Sequence, residues 1–270
     1  MDGATQTTPK SVLEDRIELY WQPGCSGCLR AKEFLRARGI DYISVNVIDE
    51  PDRMDAAVAR FGLKTLPLGI KGDRCVAAQN LADLASLVGN GEVVDETPVM
   101  SPKELVERTD EFLAAAQRYA RQFPTSALNE IVPYRGWDHR RMIHHVFFIV
   151  QAFVWQVQEQ GMPVAVAFEM PVPDEIESFD DLVTCGDEMR AVLRDWWASE
   201  DRADFAKTFK TRAGERTAHQ VLERACWHIG QHTRQVEHTL KEQHGIAPDG
   251  PITARMLDQL PLPKNVWLDV

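Results

Sequence analysis

Four stretches in the second half of this chain, residues 102–122, 138–160, 179–199 and 217–243, carry apolar side chains at the three- and four-residue spacing of an α-helix. Connections of ten or more residues separate them. Helices of that length bury their apolar stripes against one another, so the spacing predicts an all-α four-helix bundle with crossover connections, spanning residues 102–270. Start and stop signals agree. Ser101-Pro102-Lys103-Glu104 has the form of a capping box with proline at the first helical position, Ser178 and Thr217 are N-cap types, Gln220 follows Thr217 by three, and Gly245 closes the last run. Residues 161–177 hold four prolines or glycines in their first thirteen positions and are expected to lie across the open end of the bundle as a lid.

The first hundred residues have a different rhythm. An alternating run at 16–20 is followed by a turn at Gln22-Pro23-Gly24, a helical stretch that opens at Cys25-Ser26-Gly27-Cys28 and ends at Gly39, and a second apolar strand at 42–47. Strand, helix and parallel strand make a βαβ unit. A helix at 52–61, a strand beginning at Thr65-Leu66-Pro67-Leu68 and an amphipathic helix at 81–88 complete an α/β domain over 16–89. The segment 90–101 is rich in turn and charged residues and reads as a linker. Residues 1–15, polar and acidic, read as a disordered lead-in and not as a signal peptide.

Charge and cysteine usage narrow the partners. The net charge of −11 divides into −4 before residue 100 and −7 after it, so neither half offers the clustered cations that a nucleic-acid backbone requires. The most apolar run, 142–155, contains His144, His145 and Gln151 and is too short and polar to span a bilayer. Five cysteines, an odd number with one close pair, suit a reducing compartment, and a cytoplasmic location is expected.

A thiol at a helix N-terminus meets the positive end of the helix dipole and unpaired N–H groups, both of which favour thiolate. Cys25 is therefore the candidate nucleophile. Cys28, one turn inward, is placed to attack the mixed disulfide that Cys25 would form, and Arg30 and Lys32 add positive potential. Two alternatives remain for the pair: a thioredoxin-like fold without redox function, and half of a zinc site for which this part of the chain offers only Cys75 as a further ligand. The stretch 17–88 resembles glutaredoxins in its strand, C-x-x-C, helix and later Thr-x-Pro. The resemblance implies that Pro67 is the cis proline beside the active cysteines. The chain departs from that family where glutaredoxins carry Lys three positions before the first cysteine, here Gln22, and Gly-Gly after the penultimate strand, here Ala77-Ala78. Both features of the family help to bind glutathione.

All eight histidines lie between His139 and His244. His228 and His232 are one helical turn apart on one face of the last helix, close enough for both rings to reach one cation. On the second helix, His145 shares its stripe with Met142, Val146, Ile149 and Phe153, whereas His144 aligns with Arg140, Arg141 and Gln151. A lone histidine on such an apolar face is more often a core residue satisfied by one hydrogen bond. Three buried neutral imidazoles would each need a partner, and that favours a shared metal ion. Gln231 and Gln235 lie on or near the same face and, with His144, are candidate second-layer or substrate contacts. His219 and His238 point elsewhere and are expected to be solvated, while Cys185 and Cys226 read as buried filler. Trp137 preceding the second helix, His145 eight residues later, and His228-x-x-x-His232 in the last helix together resemble the DinB/YfiT superfamily of four-helix metalloproteins. That resemblance covers about residues 102–268 and implies a metal that activates a small thiol in a transferase or isomerase.

Three imidazoles leave the full charge on a divalent ion, zinc or nickel, with a position open for water, thiolate or substrate oxygen. The leading expectation is a metal-dependent enzyme handling a low-molecular-weight thiol or an electrophilic small molecule, with the dithiol domain accepting or regenerating the sulfur partner. A disulfide oxidoreductase whose bundle serves for homodimerisation and substrate capture is the second expectation. A metal or redox sensor without turnover is the third.

Overall fold

The computed structural model describes residues 16–89, 91–158, 170–199 and 204–267. The chain divides into two compact units at Glu96/Thr97. The expected lead-in at 1–15 and residues 161–169 of the expected lid lie outside the described residues.

The first unit runs β1 (Ile17–Trp21), α1 (Ser26–Ala37), β2 (Tyr42–Asn46), α2 (Pro51–Phe61), β3 (Leu68–Lys71), β4 (Arg74–Ala77) and α3 (Leu81–Val88). Its sheet has the order β2-β1-β3-β4, with β2 parallel to β1, β3 antiparallel to β1 and β4 antiparallel to β3. This is a thioredoxin-like mixed sheet. β1 is buried on both faces, because Ile17 and Leu19 pack with Phe34 and Leu35 of α1 and Leu84 and Leu87 of α3, while Tyr20 packs with Val45, Leu68 and Ile70 beside Ala57 of α2. The stretch expected to link the two halves begins as part of this unit. Arg38 pairs with Glu92, the Leu81 N–H donates to Glu96 Oε1 at 2.9 Å, and Val94 packs on the core.

The second unit contains α4 (Pro102–Gln122), a 3-10 turn at Thr125–Asn129, α5 (His139–Val157), α6 (Phe179–Ala198), α7 (Ala218–Glu242) and the short α8 (Ala254–Leu257). Helices α6 and α7 each pack against both α4 and α5, so α5 and α7 are neighbours in the bundle. The capping boxes at Ser101/Glu104 and Thr217/Gln220 both form, and Ser178 accepts from the Asp181 N–H. Each supplies acceptors for amides that the helix leaves open. After α7, Gly245 takes a left-handed φ of 67°, and its N–H donates to Lys241 O.

One element departs from the all-α expectation. Between α6 and α7 a two-stranded hairpin pairs β5 (Thr208–Thr211) with β6 (Gly214–Thr217), anchored by buried Phe209. Four residues per strand with one apolar anchor are too few for the two-residue period to stand out from a connection.

A glycine makes one close contact between α7 and α4. A Cβ built on Gly230 of α7 would sit 2.8 Å from two ring carbons of Phe112 on α4, so the backbone itself is the packing surface there. Gly230→Ala is expected to lower the stability of the full chain by about 1–3 kcal/mol, read as a lower urea midpoint. An unchanged midpoint would contradict that contact.

Candidate functional site

In the first unit, Cys25 is the N-cap of α1, and its Sγ accepts from the Cys28 N–H at 3.1 Å. The same amide would stabilise a Cys25 thiolate. Cys25 and Cys28 are joined as a disulfide; Cys25 is half-buried and Cys28 fully buried, which leaves Cys25 as the reachable sulfur. The Leu66–Pro67 peptide is cis. Pro67 lies directly over the dithiol loop, since a Cβ on Gly27 would meet Pro67 Cδ at 3.2 Å and Gln79 Cγ at 3.3 Å. Gln79 holds the cis-proline segment by donating to Leu66 O at 2.6 Å. Lys32 is buried with its Nζ 3.0 Å from the centroid of the Trp21 ring, and burial, helped by Arg36, pushes its ammonium down to about 8. Burial pushes the other thiols up, Cys185 to about 11 and Cys226 to about 12, and raises Cys75 as well. Those three are poor nucleophiles.

In the second unit, α5 and α7 bring His145, His228 and His232 together, with their potential ligand atoms all within 4.8 Å of one another. His228 Nε2 and His232 Nε2 are 2.9 Å apart. His145 stands with its ring centroid 5.4 Å from that of His228 and 5.0 Å from that of His232. Trp137 meets His145 edge-on at 5.2 Å. Burial is the largest cause holding all three rings well below the ordinary histidine range; His232 adds to it at His145 and His228, and Arg135 adds to it at His232. The rings are therefore neutral at pH 7, as metal ligation requires. Tetrahedral nitrogen ligands about 2.0–2.1 Å from zinc lie roughly 3.3 Å apart, and the separations found here bracket that value. The donor set suits zinc or nickel.

The shorter of two contacts at His232 Nδ1, to Gln235 and not to the Arg135 guanidinium at 3.4 Å, sets its tautomer. Gln235 Nε2 donates to Val266 O at 3.0 Å, so its Oε1 faces His232 Nδ1 at 2.7 Å. An amide oxygen can only accept, hence Nδ1 carries the proton and the Nε2 lone pair is turned toward the other two rings. Gln231 is buried but binds elsewhere, donating to Asn265 O and Val266 O and accepting from Arg234. His144 stacks on Phe148 at 5.6 Å, and burial, with Arg140 adding, pushes it down to about 4.

His219 and His238 are less solvated than expected. His219 is half-buried with Nε2 2.8 Å from Met100 O, and His238 is half-buried near Trp267. Segments outside the four helices cover both, and a helical-wheel argument takes no account of them. The same limitation hides Arg135. It lies in the loop 131–138, where Tyr134 has φ 65° and Gly136 φ 70°, with its guanidinium carbon 3.7 Å from the Trp137 ring centroid and Nη1 3.4 Å from His232 Nδ1. Burial and Arg141 push Arg135 down to about 9, still charged at neutral pH. Periodicity gives no signal for a residue in such a loop.

Residues 17–74 match the Glutaredoxin family model. Among solved structures, one described as the crystal structure of the mycothiol-dependent maleylpyruvate isomerase aligns over 59% of this chain and 68% of its own, with 16% identity and a TM-score of 0.40. That likeness is too loose to carry an argument. No curated protein matches the chain. No helix among the described residues is long and apolar enough to cross a membrane.

The lowered histidines predict how the metal-free protein responds to acid. A ring whose folded pKa lies below the unfolded value of about 6.5 binds fewer protons folded than unfolded, so its contribution is complete above that pH and is lost as pH falls toward the folded value. For chelator-treated protein, the urea midpoint followed by helical circular dichroism should fall progressively as pH is lowered from about 6.5 into the mildly acid range. His144→Phe should make the fall shallower. A midpoint that holds or rises across this interval would contradict neutral burial of these rings.

Proposed function

We propose that this chain is a metal-dependent enzyme that handles a small thiol or a thiol-reactive electrophile, with a dithiol redox domain fused to it. The observation that carries the reading is the convergence of His145, His228 and His232 as neutral nitrogen donors in one buried site. A divalent ion held there would lower the pKa of a bound thiol or water and polarise a substrate oxygen. The protein's own part is to hold three rings in ligating orientation. Gln235 fixes one of them, and Trp137 packs against another. The Trp137, His145 and His228-x-x-x-His232 spacing that resembles the DinB/YfiT superfamily supports the same assignment.

The dithiol half follows ordinary exchange chemistry. The Cys25 thiolate attacks one sulfur of a substrate disulfide and expels the other as a thiol. Cys28 then attacks Cys25 Sγ, releasing the second substrate thiol and leaving the Cys25–Cys28 disulfide. Two electrons pass to the substrate, and an external dithiol or two monothiols restore the reduced pair. The Glutaredoxin match over 17–74 favours a second reading, a disulfide oxidoreductase in which the bundle is a scaffold. In either reading the free cysteines suit a reducing, cytoplasmic setting, and the substrate is a small molecule.

Two assays separate the readings. The full chain should reduce a mixed disulfide in a way that needs Cys25 and survives chelation, and should also couple a low-molecular-weight thiol to an activated electrophile in a way that needs metal. Replacing His228 with Ala should abolish the coupling and spare the reduction, whereas Cys25→Ser should do the reverse. Coupling that persists at the native rate without metal and without His145, His228 and His232 would reduce the bundle to a scaffold.

A further inference from the structure

The segment 263–267 runs along α7 and is tied to it by side-chain donors. Arg234 donates to Pro263 O at 2.9 Å and Lys264 O at 2.9 Å, Gln231 to Asn265 O at 3.2 Å and Val266 O at 2.8 Å, and Gln235 to Val266 O at 3.0 Å. Every acceptor is a backbone carbonyl, and the donors come from three residues in the five that begin at Gln231. Gln231 and Gln235 are buried, and Trp267 closes the segment into the core. Carbonyl oxygens cannot donate, so these contacts impose one orientation on each amide. For Gln235 that orientation has a consequence one bond further on, because its remaining oxygen can satisfy only the Nδ1–H form of His232.

We propose that residues 263–267 are a positioning element of the histidine cluster: the Val266 carbonyl sets the amide of Gln235, and Gln235 holds His232 with Nε2 as the free donor. The inference rests on the metal-centre reading given above and adds to it a named strap and a named relay residue. Without the strap the Gln235 amide can turn over and present its NH2 to Nδ1, and this stabilises the other tautomer, whose Nε2 carries a proton and cannot bind a cation. The strap therefore acts on the metal by way of hydrogen-bond polarity, which separates it from a merely structural tail.

The test uses zinc alone and the full chain, with affinity measured against a competing chelator. A stop after Leu262 should weaken zinc binding about 10- to 100-fold, the range for loss of an orienting partner of a ligand. Gln235→Glu in that shortened chain should restore most of the affinity, since a carboxylate accepts from Nδ1–H whichever way it turns. Should the shortened chain fail to fold, the full-length pair decides: Gln235→Leu should lose affinity by the same order, Gln235→Glu should keep it, and nitrogen NMR of the metal-free native chain should report His232 protonated at Nδ1. Native zinc affinity in Gln235→Leu, or no rescue by Gln235→Glu, overturns the inference while leaving the metal centre standing. A native chain that takes up no zinc overturns both.

Discussion

Desolvation of three imidazoles at one place between α5 and α7 is the constraint to which the rest of the second unit answers. A buried polar group without a partner costs about 1–3 kcal/mol, and a buried charge costs far more. The protein meets that constraint by keeping the rings neutral, by turning their nitrogens toward one another, and by satisfying the outward Nδ1 of His232 with Gln235. Arg135 lies over Trp137 and close to His232, where its charge opposes protonation of the ring. A pocket that disfavours protons and gathers nitrogen lone pairs is suited to a divalent cation.

His139 shows what a structural histidine looks like in the same bundle. Its Nδ1 lies 3.0 Å from both Ala127 O and Glu130 O, and its ring packs against Phe123 at 4.7 Å. It ties the start of α5 to the 3-10 turn before it. The contrast lies in what the ring nitrogens face: His139 Nδ1 meets two backbone carbonyls, although its ring lies 5.3 Å from that of His244, whereas His228 Nε2 and His232 Nε2 meet each other. A comparable division holds among the cysteines, where one pair sits at a helix N-terminus with an amide aimed at sulfur and the others are pushed toward inertness by burial.

Much of this was legible from residues alone, for physical reasons. Long helices announce themselves because packing demands a sustained stripe, and their ends are marked by side chains that satisfy open amides, as Ser101 and Thr217 do. His228 and His232 share a face by the geometry of one turn, and His145 is singled out from His144 by its apolar neighbours. What escaped depends on contacts distant in sequence or on loop geometry. Arg135 reaches His232 through a turn with a left-handed tyrosine, residues 263–267 reach α7 through backbone carbonyls that no side-chain pattern records, and β5 and β6 are too short for their period to register. Gln231 and Gln235 share a face and both donate to Val266 O, yet Gln235 Oε1 meets His232 whereas Gln231 Oε1 accepts from Arg234.

The account stands on histidine nitrogens, and not cysteine sulfurs, being the donors to a cation. X-ray absorption at the zinc edge of the purified, zinc-loaded full chain addresses this directly. The predicted spectrum has a first shell of nitrogen and oxygen at about 2.0–2.1 Å with the outer-shell scattering of imidazole and no sulfur. A sulfur shell at about 2.3 Å, or a protein that retains no metal, would contradict it.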